Sequence, residues 1–214
     1  MSTKSSNRIL SLYKSRKTIL EYMSYLNYAT KDYEEFSINE IDAMYVHNQL
    51  DMLLTHNTES KKVYIKYFTS NKGGSKQFRH QALDVVIEDL YDIENVLTKQ
   101  DTLICIIDEE PNDTILTKIQ YLYERNQLFI VVHNLNRLQF NLLQHVLVPK
   151  VEILNDQEME ELKKTQNISS LKLLPEISRF DPQALAIALR PGQVAKFTRT
   201  SATALTSLYY RICI

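Results

Sequence analysis

The stretch FDPQALAIALRPGQVAKFTRT, residues 180–200, decides how the C-terminal third of this chain is read. Asp181 is a good helix N-cap, and Pro182 suits the first helical position because its missing N–H would have no helical partner anyway. The spacing predicts a two-turn helix from Gln183 to Leu189. Pro191-Gly192 reads as a turn, in which proline presets φ and glycine accepts φ > 0. The chain holds only three glycines, two of them the pair Gly73-Gly74, so the third stands where the backbone demands it. Val194 to Thr198 and Leu208 to Ile214 then read as strands.

Working outward, Leu174-Pro175 ends the preceding region, since the residue before proline is pushed out of the helical range. Asn155 and Glu158 have capping-box spacing and should open a helix. The character of the chain changes near His145, where Val146-Leu147-Val148-Pro149 follows. Two compact units are therefore expected, 1–144 and 145–214. The first carries 16 basic and 19 acidic residues, the second 9 basic and 7 acidic. After Asp181 there is no carboxylate side chain, while Arg190, Lys196, Arg199 and Arg211 remain.

In the N-terminal unit, Ile9, Leu12, Tyr13, Ile19, Leu20, Met23 and Leu26 fall on one face at helical spacing, predicting a helix over 8–27. Its basic, serine-rich start resembles a transit peptide, but a first amphipathic helix of the fold accounts for it. Ser37 and Glu40 form a second capping box, with a helix expected to run to about Leu54. Val63 to Phe68 is a strand, and Asn71-Lys72-Gly73-Gly74 a loop. Ala82, Val86, Leu90, Ile93 and Leu97 lie on one helical stripe. Buried-type strands follow at Leu103 to Ile107 and Leu128 to Val132, with a helix through Ile115, Leu116, Ile119, Leu122 and Tyr123 between them. Such alternation implies an α/β layer around a small sheet.

Composition excludes several classes of protein. Hydrophobic residues make up 44% and charged residues 24% of the 214, as in ordinary globular domains. The net charge of -1 supplies no global field for nucleic acid. Cys105 and Cys213 are too few for a disulfide framework or a cysteine zinc site, and fit a reducing compartment. No apolar run reaches the roughly 18 residues of a membrane span, so no membrane partner is expected. Gly73-Gly74-Ser75-Lys76 lacks phosphate-loop spacing and reads as a flexible loop. Asp108-Glu109-Glu110 follows a strand, where carboxylates can hold a divalent metal as in nucleases. Without a nearby lysine a solvated turn before Pro111 is the plainer reading, and a stand-alone metal-dependent nuclease is the alternative. No histidine pair has zinc-helix spacing, and His133 reads as a core or edge residue. There is no G-x-S-x-G elbow and no histidine near either cysteine in sequence. No catalytic residue, cofactor, metal or small-molecule substrate is expected.

The C-terminal 70 residues resemble the fifth shared subunit of eukaryotic nuclear RNA polymerases, a family that includes a shorter archaeal counterpart. The residues that carry the likeness are His145 with Leu147-Val148-Pro149-Lys150; Leu154 before the Asn155 cap; Leu174-Pro175 with Ile177; Asp181-Pro182 with Ala184; Leu189; Gly192-Gln193-Val194; Lys196; Arg199; Ser201; and Tyr210-Arg211-Ile212-Cys213. Asn7-Arg8-Ile9, the long first helix and the Ser37 helix resemble the eukaryotic N-terminal domain, which the archaeal counterpart lacks.

The resemblance implies an α+β protein: an N-terminal α/β jaw domain of nuclease-like topology without nuclease activity, and a small β-rich C-terminal assembly domain. It implies a non-catalytic subunit that docks on the largest polymerase subunit and its neighbours, near downstream duplex DNA. The expected partner interface is His145, Pro149, Lys150, Pro175, Asp181, Pro182, Arg190, Gly192, Lys196, Arg199 and Arg211. Lys4, Arg8, Lys14, Arg16 and Lys17 are either phosphate contacts or the wet face of the first helix. The chain departs from the family pattern at Val151, at Ala195 to Phe197 and at Ser201-Ala202-Thr203. That drift suggests a homologue from a large cytoplasmic DNA virus, such as an asfarvirus. A viral source implies host cytoplasm and virion, a cellular source the nucleus.

Overall fold

The N-terminal apolar stripe folds as one long helix, α1 (Thr3–Tyr25), which buries Leu12, Ile19, Leu20, Tyr22 and Met23. The chain is described by a computed structural model covering residues 3–69, 78–201 and 203–214. The Gly73-Gly74-Ser75-Lys76 loop and Ala202 lie outside the described residues. The chain divides into two compact units, Met1–Phe140 and Asn141–Ile214. Both units mix helices with one sheet each, so the protein is α+β.

In the first unit the Ser37 capping box forms and opens α2 (Ile38–Val46): Glu40 accepts from the Ser37 N–H at 2.7 Å. The helix does not run to Leu54 as expected. Asn48 takes φ 54° and ends it, and Met52–Thr55 becomes strand β1. The reason is an alternation that outweighs the helical reading: Leu50, Met52 and Leu54 are buried with period two. β1 pairs antiparallel with β2 (Lys62–Phe68), setting Met52 opposite Ile65.

α3 (His80–Ile87) passes into a π-helical turn over Glu88–Ile93. The wider turn shifts the expected stripe: Leu83, Val86, Leu90 and Leu97 are buried, whereas Ile93 is 66% exposed. Strands β3 (Thr102–Ile107) and β4 (Phe129–Asn134) flank α4 (Asp113–Asn126), whose cap Asn112 accepts from the Ile115 N–H at 3.0 Å. The sheet order is β1-β2-β3-β4, with β2, β3 and β4 parallel. All six residues of β3 and of β4 are buried, the pattern of parallel strands covered on both faces.

The second unit holds β5 (Lys150–Ile153), α5 (Asp156–Thr165), β6 (Glu176–Ile177), α6 (Pro182–Ala186), β7 (Val194–Ser201) and β8 (Leu205–Cys213). The Asn155–Glu158 capping box forms, each residue bonding the other's N–H at 2.9 Å. Asp181 caps α6 with Pro182 at its start, but α6 is shorter than the Gln183–Leu189 helix expected, because Ala188 turns to φ 47°. The sheet order is β5-β7-β8-β6. Leu154, Leu162, Leu174, Val194 and Ile212 form a buried cluster against α5.

Gly192 adopts φ 87° and its N–H donates to Cys213 O at 2.9 Å, joining the turn to the end of β8. No atom lies within 4 Å of where a Cβ would stand, so substitution costs conformation rather than space. Gly192→Val should therefore destabilise the unit by about 1–2 kcal/mol. Urea denaturation checks this, and an unchanged midpoint would contradict the left-handed turn.

His133 lies in β4, 6% exposed, its ring 6.3 Å from that of Tyr22, and its Nε2 has no hydrogen-bond partner among the described residues. Burial, helped by the charge of Arg137, lowers its pKa from 6.5 to about 4. Above pH 6.5 the ring is neutral folded or unfolded and costs nothing. As pH falls from 6.5 towards 4 the unfolded chain takes a proton that the folded chain refuses, so stability drops by up to about 3 kcal/mol. Denaturation at pH 7 and pH 4.5 should show this loss in the native chain and a smaller one in His133→Leu.

Candidate docking face of the C-terminal unit

Strand register sorts the expected interface residues onto two faces. Lys150 stands opposite Thr198, Glu152 opposite Lys196, and Lys196 opposite Tyr210. One sheet face thus carries Lys150, Glu152, Lys196, Leu208 and Tyr210. Arg199, opposite Ser207, and Arg211, opposite Ala195, share the other face with Phe197 and Tyr209. The rings of Phe197 and Tyr209 stack at 4.9 Å and 7°, and the Arg211 guanidinium lies 5.9 Å from the Tyr209 ring. Lys150 and Lys196 therefore lie on the opposite sheet face from Arg199 and Arg211.

Several serve the architecture. Asp181 accepts from the Gln183 N–H at 2.9 Å, Pro149 O accepts from Gln183 Nε2 at 3.2 Å, and Pro175 O accepts from the Ile212 N–H at 2.9 Å. The Arg190 N–H donates to Gln193 Oε1 at 2.8 Å, tightening the turn that Gly192 completes. Lys196 reaches Glu152 Oε2 at 3.1 Å, and that hydrogen bond and charge raise its pKa. His145 is exposed, its Nδ1 accepting from the Leu147 N–H at 3.2 Å. Lys150, Arg199 and Arg211 are exposed.

The unit also exposes apolar residues that the expected set did not include. Val146 is 96% exposed, Leu147 84%, Leu173 70% and Leu205 85%, in a unit whose core is otherwise filled. The run Val146-Leu147-Val148, apolar without strand or helix periodicity, was the sequence signal for part of it. Arg179 was missed entirely: it is buried, its guanidinium 5.4 Å from the Phe180 ring.

In the first unit the basic residues of α1 part company. Lys14 and Lys17 are exposed. Arg8 does not stand free: its Nη2 donates to both oxygens of Asp108 at 2.5 and 2.6 Å. Burial disfavours its charge, but the hydrogen bond and field of Asp108 prevail and raise its pKa. Arg16, read from the sequence as either a phosphate contact or part of the wet face of the helix, is instead 3% exposed. It occupies the same stripe as Leu12, Ile19 and Met23, which places it inside. Its Nη1 donates to Leu50 O at 3.0 Å, and its guanidinium lies 5.7 and 5.3 Å from the Tyr33 and Phe36 rings. Desolvation lowers its pKa.

The alternative metal centre finds no support. Asp108 is engaged by Arg8, and Glu110 by Arg137 at 3.0 Å. Among the described residues no group of three or more His, Cys, Asp and Glu is placed to hold a metal ion. The Cys105 thiol is pushed up to about 12 by burial, and Cys213 to about 11, the opposite of an activated nucleophile. No helix is long and apolar enough to cross a membrane among the described residues.

Residues 140–213 match the family "RNA polymerase Rpb5, C-terminal domain". The class is thus a subunit of multisubunit RNA polymerase. The chain is 43% identical over 77 residues to DNA-directed RNA polymerase subunit Rpo5 of Archaeoglobus fulgidus, covering 36% of this chain and 100% of that protein. It is 41% identical over 76 residues to Rpo5 of Thermococcus kodakarensis, covering 36% of this chain and 92% of the relative. Over 214 residues it is 28% identical to subunit 5B of RNA polymerases IV and V of Arabidopsis thaliana, covering 98% of this chain and 92% of the relative. The chain belongs to the Rpb5/Rpo5 family.

Burial separates Arg16 from its neighbours on α1. Arg16→Glu should cost about 3 kcal/mol or more, because it buries an unpaired carboxylate among aromatic rings. Lys17→Glu should stay within about 0.5 kcal/mol. Chemical denaturation of the two variants decides between them.

Proposed function

We propose that this chain docks on the largest subunit of a multisubunit DNA-directed RNA polymerase through its C-terminal unit. It is a non-catalytic subunit acting in transcription, and phosphodiester formation falls to the metal site of the largest subunits. The observation that carries this reading is the match of residues 140–213, with 100% of the archaeal relative covered. Exposed residues on the same unit supply the means: basic Lys150, Arg199 and Arg211, and apolar Val146, Leu147 and Leu205. Such mixtures of apolar anchors and arginine favour protein partners.

The N-terminal unit, in this reading, is a jaw that supports downstream DNA, with Lys14 and Lys17 as sequence-independent phosphate contacts. Arg8 and Arg16 are assigned to the fold and not to DNA. Drift at Val151 and Ser201-Ala202-Thr203 supports a source in a large cytoplasmic DNA virus, with the chain acting in host cytoplasm and virion. A cellular source would put it in the nucleus.

Affinity purification of the tagged chain at moderate salt, with mass spectrometry of the captured proteins, tests the docking. The two largest polymerase subunits should come with it at near-stoichiometric levels, and their sequences identify the source. Arg199→Glu should fold normally and recover them about tenfold less, since reversing an interface charge adds repulsion to the lost contact. Full recovery with Arg199→Glu would place Arg199 off the interface.

A further inference from the structure

β8 spans Leu205–Cys213, yet only Ile212 and Cys213 pair with β6. From Leu205 to Arg211 its outer edge carries no strand among the described residues. The phase of that edge follows from the bonds at its end. The N–H groups of Ile212 and Ile214 donate towards β6, to Pro175 O at 2.9 Å and Ile177 O at 3.0 Å. The Cys213 N–H donates the other way, to Gln193 O at 2.9 Å. Because antiparallel strands alternate their backbone groups, the N–H and C=O of Leu208 and Tyr210 also point outward, away from β7. Neither N–H has a backbone partner among the described residues.

Folded proteins blunt such edges with proline, lysine, bulges or very short strands. Residues 205–211 contain no proline and no lysine, and the register with β7 runs without a bulge from Val194–Ile212 to Ser201–Leu205. On β8 itself Leu208, 53% exposed, continues one side past Tyr210 and Ile212. The opposite side of this ladder carries two arginines beside the Phe197–Tyr209 stack. Arg199 lies across the small Ser207, and Arg211 Nη1 leans to the edge side, donating to Glu176 O at 3.3 Å. Arg199 has no carboxylate partner among the described residues, and the sequence offers no Asp or Glu after Asp181.

We propose that an extended acidic segment of another polymerase subunit completes this sheet, adding as a strand along the outer edge of β8. This rests on the docking reading above and specifies its mode. The added strand exchanges backbone hydrogen bonds with Leu208 and Tyr210. It carries Asp or Glu at the two positions, four residues apart, that face Ser207 and Arg211. The residues facing Leu208 and Tyr210 are apolar.

Leu208→Pro tests the edge directly. It removes an outward N–H and leaves the β7–β8 ladder bonds in place, a substitution that edge strands tolerate. The full-length variant should recover the two largest polymerase subunits about tenfold less than the native chain does. A second measurement holds even if the proline perturbs folding. Amide hydrogen exchange of the native chain should be fast at Leu208 and Tyr210 when it is free and slowed at least tenfold in the purified polymerase. Normal recovery of a folded Leu208→Pro chain, or unchanged exchange over 205–211 in the polymerase, overturns strand addition while docking stands. Slowing by duplex DNA alone also overturns it, by giving the two arginines to phosphate. Failure of the native chain to recover any polymerase subunit overturns the docking reading, and the edge proposal with it.

Discussion

The antiparallel ladder between β7 and β8 is the constraint on which the C-terminal unit depends. It runs from Val194–Ile212 to Ser201–Leu205 and is anchored at one end by the Gly192 N–H on Cys213 O. Every other strand of the unit attaches to it: β5 to the outside of β7, β6 to the outside of β8 at the end that Gly192 anchors. Its two faces are separately stabilised, one by the Leu154, Leu162, Val194 and Ile212 cluster, the other by the Phe197–Tyr209 stack. A wrong backbone angle at residue 192 would start the ladder out of phase. A one-residue slip would exchange these two faces, exposing the cluster and the stack together.

In the N-terminal unit the corresponding constraint is burial of β3 on both faces. Its neighbours must then supply apolar cover, and polar residues caught in that cover need special arrangements. Arg16 is held by a carbonyl and two aromatic rings. His133 stays neutral because burial opposes its charge. Asp108, at the end of β3, meets Arg8 from α1. A carboxylate that could have looked catalytic is thereby an anchor for the first helix. An ion pair exposed by about a third contributes little net energy, but it fixes where the helix end lies.

Legibility differed from element to element for physical reasons. Both capping boxes were readable because their chemistry lies within four residues. The Gly192 turn was readable because a left-handed position in a glycine-poor chain leaves few candidates. β5 and β6, with four and two residues, were invisible, since strands so short exist only through the partner that pairs them. The end of α2 was misread because Met44 and Val46 continue a helical apolar pattern into a segment that β2 recruits as a strand. The site was half legible. The basic, acid-free tail could be named, but not its division between two faces, because Lys196 and Arg199 differ by an odd number of positions on a strand whose register only pairing sets.

By itself the sequence determined the family, the α+β class and the local turns, because these are written in ordered motifs and in neighbours a few residues apart. The tertiary structure alone decided which charges are available. Lys14 and Arg16 stand two residues apart on one helix, one in water and one in the core. Arg8 and Asp108 are a hundred residues apart and bonded. Exposure and pairing are properties of what packs against a side chain, and no local pattern contains that.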